Sequence, residues 1–308
     1  MHHTPFAIRH SLFAVLLGAC VMFVAPFSAA ADAPVRMADI AAHPALWTVR
    51  SNNATAYLFG SIHLLPTNIA WHTGRIDAAL DAADIFVFEA PMDDAGKAAV
   101  ADFIRKYGSL PAGTTLPSLL GKDALKDYRR ALALAHVAPE TLDHERPWLA
   151  EIVIDVAYLQ QLHYMVEGGV DRQIFALAEQ RKKPVRAFET PEQQLALFMP
   201  KDTKLEIAEF DADLKQFQSE QSTIGAMVDA WDECDVKSVG RLMNKELDSV
   251  PGAKKALIDD RNAAWVKQLD TMLQAHATYF ITVGAGHLVG PHGVPALLRA
   301  QGYRVEGP

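Results

Sequence analysis

Cysteine is nearly absent. Only Cys20 and Cys234 occur in the 308 residues, and Cys20 lies in an N-terminal segment that reads as removable. No internal disulfide is then expected, and stability must come from core packing. A basic cluster is missing too, with 29 Lys and Arg against 37 Asp and Glu and a formal net charge of −8, which argues against nucleic acid as a partner. Beyond the N-terminal segment no run of about 20 apolar residues occurs, so no stable membrane insertion of the mature chain is expected. Motifs of the type HExxH, GxSxG and the Walker loop are also lacking, which removes several familiar hydrolase and nucleotide-binding schemes. The stretch "GAGHLVG" loosely echoes a dinucleotide fingerprint, but too little chain follows it for the rest of a βαβ fold.

What the chain does have begins at its N-terminus. Arg9, an apolar stretch from Leu12 to Phe27 and the small residues Ser28 to Ala31 form the three regions of a secretory signal peptide over residues 1–31. The expected product is an exported protein, periplasmic or secreted. Lipid anchoring at Cys20 is disfavoured because the apolar run continues past it to Phe27.

Half of the residues are apolar, enough for a real core in one large domain. Strands are expected at 46–50 and 55–59, as a hairpin, then at 84–88, 185–188, 278–283 and 303–305. Helices are expected at 74–83, after Pro147 on a face running from Trp148 to His163, from near Asp171, from Thr190-Pro191, and from Pro295 to Gln301. Residues 201–275 read as mostly long amphipathic helix broken near Pro251-Gly252. Strands thus gather at both chain ends. The fold expected is α/β: a central mixed sheet built from both ends, in a single domain over 32–308 with helical insertions near 95–165 and 201–275.

Four ionisable residues each follow an apolar strand directly. Glu89 follows "IFVF", Glu189 follows "VRAF", His63 closes Gly60-Ser61-Ile62-His63, and His287 closes Gly284-Ala285-Gly286-His287. In open α/β sheets ligands sit outside the carboxyl ends of the strands, so the four are expected to converge on one pocket. Two imidazoles with one or two carboxylates suit a divalent ion such as Zn, Mn or Co, with a remaining carboxylate as general base. Each member also has a plain reading, as a loop histidine bonded to backbone or a residue before a capped helix. Asp171 is expected as an N-cap of its helix. Of the other histidines only His292, five residues beyond His287, stands near this pattern.

The pieces "LFGSIHLLP", "DIFVFEA", "RPWLAEI", "EGGVDRQIFALAEQRKKPVRAFETPEQQLALF", "DDRNAAWVKQL" and "TVGAGHLVGPHGVPALLRAQGYRV" together resemble the TraB/GumN family, which includes pheromone-shutdown proteins and the animal Tiki proteases. The resemblance runs through nearly all of residues 46–306. It implies a metal-dependent hydrolase of peptide or small amide or ester substrates, with a divalent ion (Mn, Co or Zn). The resemblance carries over the motif histidines as His63 and His287 and the motif glutamate as Glu89; joined to the two strand-end glutamates, it leads to the expectation that His63, His287 and Glu189 hold the metal and Glu89 activates the water. Glu189-Thr190, Arg261-Asn262 and Gly169-Val170-Asp171 match further family elements, while Pro291-His292 stands where acidic residues are usual. The family's distant likeness to erythromycin-esterase-like enzymes implies an alternative, a metal-free hydrolase with a histidine base and Arg261 or Asn262 steadying the oxyanion. A protein that binds a peptide without turning it over is the third expectation.

Overall fold

The computed structural model describes residues 40–199, 202–217, 220–248 and 252–308. The expected signal peptide and Cys20 lie outside the described residues. Eight strands occur among the described residues: β1 (Ile40–Ala41), β2 (Leu46–Arg50), β3 (Thr55–Ser61), β4 (Ile69–Ala70), β5 (Ile85–Phe88), β6 (Val185–Ala187), β7 (Thr278–Gly284) and β8 (Arg304–Glu306). β1 and β4 form a small parallel pair. The other six make one mixed sheet in the order β6-β5-β7-β3-β2-β8. β3, β7, β5 and β6 are mutually parallel, and β2 is antiparallel to both β3 and β8. The fold is therefore α/β, with strands from both chain ends interleaved.

Alternation along the strands builds the two cores. Phe59, Phe86, Phe88 and Phe280 face one side, packed under the Pro147–Gln161 and Val170–Gln180 helices. Leu58, Val87, Tyr279, Ile281 and Val283 face the other, under Trp265, Leu269, Val294 and Leu298. Strands covered on both faces read as unbroken apolar runs, which is why these segments were visible in the sequence.

Three expectations need correction. The helix after Pro147 ends at Gln161, and His163 lies beyond it with a left-handed backbone, φ 65°. Within residues 201–275 the helix ending at Leu247 and the π-helical turn at Lys255–Asp259 flank the expected break near Pro251-Gly252, and Asp260–Met272 follows that turn, but the part before the break is divided further, into Thr203–Gln216, Glu220–Asp232 and Val236–Leu247. The break at Cys234 uses a positive φ of 59°, and Asp235 then receives the Ser238 N–H at 3.0 Å. Asp171 is not an N-cap: Gly169 caps the Val170–Gln180 helix, and the Asp171 carboxylate is buried.

The expected capping box after β6 is present. The Gln193 N–H donates to Thr190 Oγ1 at 3.3 Å, and the Thr190 N–H donates to Gln193 Oε1 at 2.8 Å. With Pro191 in the first turn, this fixes where the chain leaves Glu189. Thr190→Ala should lower stability by about 1 kcal/mol, read as a shifted urea midpoint with an unchanged slope.

Candidate functional site

Glu89, Glu189, His63 and His287 all follow the carboxyl ends of the parallel strands, and Arg261 links three of them. Its guanidinium lies buried, with Nε donating to Glu189 Oε1 at 2.9 Å and Nη2 donating to Glu189 Oε2 at 2.9 Å and to Glu89 Oε2 at 2.7 Å. Nη1 donates to Leu257 O at 3.3 Å and to His287 Nε2 at 3.0 Å. A guanidinium has five N–H groups. All five are engaged, so Arg261 as it stands has no donor left for a substrate oxyanion.

Asn262 is engaged in the same way. Its Nδ2 donates to His287 O at 3.2 Å and His292 O at 2.8 Å, which leaves Oδ1 as an acceptor 2.6 Å from His287 Nδ1. The amide orientation therefore puts the imidazole proton on Nδ1 and the lone pair on Nε2, toward Arg261. Burial, then the charges of Arg261 and His63, hold the His287 pKa well below the ordinary value. His287 is a neutral, fixed acceptor, with the Trp265 ring 4.3 Å from its own.

His63 differs. Its Nδ1 lies 2.9 Å from Asp171 Oδ2, an ion-pair distance whose alignment falls short of a hydrogen bond, and its Nε2 is buried with no hydrogen-bond partner among the described residues. Burial alone would push its pKa down, but the charge and contact of Asp171, with Glu89 adding, outweigh that and raise it. Glycine makes this placement possible. A Cβ on Gly169 would stand 2.3 Å from His63 O, and one on Gly60 would stand 3.0 Å from the Ala285 Cα. Only bare backbone lets the Val170 helix and the His287 loop close on the His63 turn, where the Val170 N–H donates to Ile62 O at 3.0 Å.

Glu89 sits at the centre. Oε1 accepts from the Gly284 N–H at 2.6 Å, and Oε2 accepts from Gln194 Nε2 at 3.0 Å besides Arg261. Burial pushes its pKa up in spite of Arg261 and His63. Glu189 has less to offer the centre, because Trp265 Nε1 also donates to its Oε1, at 2.8 Å. His292 is half exposed and pairs with Asp259 at 2.8 Å; only its backbone reaches the cluster. Gln194 and Trp265 had no sequence signal, since each meets a carboxylate only through the tertiary fold.

A divalent ion does not fit the expected ligand set as the side chains stand. Both oxygens of Glu189 and Nε2 of His287 face Arg261, so an ion at that point would meet a guanidinium of the same sign. Among the described residues no three His, Cys, Asp or Glu side chains form a metal-holding group. His63 is the member with a ligand's disposition, backed at Nδ1 by a carboxylate and open at Nε2.

The family model described as TraB/PrgY/gumN matches residues 45–307. The chain belongs to the TraB/PrgY/gumN family. Among curated relatives of this TraB-family chain, the uncharacterized protein YbaP of Shigella flexneri is 24% identical over 263 residues, covering 83% of this chain and 92% of its own length. YbaP of Escherichia coli K12 matches to the same extent. An uncharacterized protein of Treponema pallidum is 22% identical over 307 residues, 91% of this chain and 89% of its own. No helix among the described residues is long and apolar enough to cross a membrane.

Proposed function

We propose that this TraB-family protein hydrolyses peptide or related amide and ester bonds outside the cytoplasm, with His63, backed by Asp171, moving the protons beside the buried carboxylate of Glu89. The observation that carries this reading is the open Nε2 of a buried histidine whose proton affinity is raised by a carboxylate behind it. In this scheme His63 Nε2 takes a proton from the attacking water, and Asp171 steadies the imidazolium that forms. The imidazolium then returns that proton to the leaving group, while Glu89, an acceptor from Gly284, Gln194 and Arg261, keeps its charge and favours the imidazolium. Arg261, Asn262 and Glu189 are positioning residues: they fix Glu89 and His287 and do not touch substrate.

A His63 base must be neutral to act, so activity should rise as pH climbs past its raised pKa. Asp171→Asn removes the charge that raises that value. The acid limb of the kcat/KM profile should therefore move to lower pH while the plateau falls; an unmoved limb would remove His63 from the base role.

A metal-loaded hydrolase is the second reading, favoured by the open Nε2 of His63 and the neutral state of His287. The experiment for both is a mass-spectrometric peptide-library digest, beside simple esters and anilides, with metal content measured on protein purified without chelator. Products from metal-free protein support the acid–base centre. Products only after loading with Mn, Co or Zn support the second reading, and saturable binding with no product would mark a sequestering protein instead.

A further inference from the structure

β6 is an edge strand of the main sheet and leads, within two residues, to Glu189. Its pairing defines which of its backbone groups are committed. The Phe86 N–H donates to Pro184 O at 2.9 Å and the Phe188 N–H donates to Phe88 O at 3.0 Å, in the register Phe86↔Val185 to Phe88↔Ala187. The backbone of Arg186, between those two bonds, therefore turns toward β5. By strand alternation the N–H and C=O of Val185 and of Ala187 point the other way, off the sheet. No described residue bonds to these four groups.

The side chains at this edge are as unusual as its backbone. Val185, 38% exposed, is the one large apolar side chain left open among the described residues. Around it Arg181, Lys182, Lys183 and Arg186 fall within six positions of a chain whose net charge is −8. Arg181 is held by Asp81 at 2.6 Å; no described carboxylate pairs with the other three. A second copy of β6 is a poor occupant, because two basic edges of three residues repel each other. An extended segment bearing carboxylates satisfies both the outward backbone groups and the charge.

We propose that an acidic peptide segment adds to the sheet as a strand along the outer edge of β6, and that this is how substrate is delivered to the His63–Glu89 centre. The proposal rests, for its second half, on the hydrolase reading above. Backbone pairing gives affinity with little demand on sequence, while alternate side chains meet Val185 on one face and Arg186 on the other. A peptide lying there emerges at the carboxyl end of the strands, beside Glu189. The enzyme would accordingly prefer unfolded or extended acidic segments over folded proteins.

The test uses the mature chain and a fluorescein-labelled decapeptide of alternating valine and glutamate, with a copy N-methylated at alternate amides. Val185→Pro with Ala187→Pro deletes the two outward donors and leaves the β5 ladder intact, since neither N–H bonds to β5. Loss of two hydrogen bonds should weaken binding about tenfold or more, as should N-methylation of the peptide, and Arg186→Glu should weaken it most at low salt. Amide exchange on the unaltered protein is the measurement that does not depend on a variant folding: the Val185 and Ala187 N–H groups should slow when the peptide is added. No binding by the unaltered protein, no slowing at those amides, or equal affinity for the methylated peptide would overturn the edge proposal. The two readings separate cleanly. Binding at β6 without cleavage would sink the hydrolase and leave the edge standing, while cleavage at an unchanged rate by the double proline variant would sink the edge and leave the hydrolase.

Discussion

Arg261→Ala should be the most damaging single substitution in the site, lowering stability by about 3–5 kcal/mol and the melting temperature by roughly 10 °C. The cause is what the guanidinium leaves behind. Glu89 and Glu189 are held by it in buried positions, and removing it strands two carboxylates and the Nε2 acceptor of His287. The deficit should depend on pH in a defined direction. Burial already raises Glu89 above its ordinary value of 4.5, and Arg261 is the largest influence holding it down, so the variant should bind a proton there more tightly still. A group whose folded pKa is raised takes up protons on folding, and its penalty grows as pH rises above the unfolded value. The gap between variant and parent should thus be widest at neutral pH and narrow as pH falls toward 5. Arg261→Lys should recover only part of it, since one ammonium cannot engage five positions. Denaturant titrations across that range test this, and a pH-independent gap would mean the two carboxylates are not what Arg261 holds.

His63→Ala should act chiefly on turnover, with a stability cost from the Asp171 carboxylate it leaves buried without its 2.9 Å partner. The chain should still fold, because the loop around His63 is tied by backbone bonds from Val170 and Met165. Loss of a positioned general base should lower kcat by roughly 10²–10⁴-fold, with KM for a peptide little changed. A variant that kept more than a tenth of the parent kcat would displace His63 from the centre.

Much of this was readable from the chain. Apolar runs covered on both sheet faces announced β3, β5 and β7, and the residues that end them, Ser61, Phe88 and Gly284, put His63, Glu89 and His287 within reach of one another. Thr190-Pro191 with Gln193 announced its own helix start. What the sequence concealed is the partner of each group. Arg261 sits 72 and 172 positions from its two carboxylates, and no local pattern says that a helix will carry it between them. Asp171 looked like a helix cap because acidic residues at helix starts usually are; its burial against His63 depends on Gly169 closing on the His63 carbonyl. Within 201–275 the break near Pro251-Gly252 was legible from those two residues, whereas the one at Cys234 was not, because no proline or glycine marks it and the turn is made by a cysteine at positive φ.

The centre's chemistry can be decided by one measurement: hydrolysis of a library-derived peptide by chelator-stripped parent protein, alongside His63→Ala. A His63–Asp171 base beside a buried Glu89 predicts that the stripped parent turns over at its full rate and that the variant does not, with or without added Mn, Co or Zn. A stripped parent that is inert and regains activity in proportion to bound metal would contradict it, and would mean that Arg261 yields its place between Glu89 and His287.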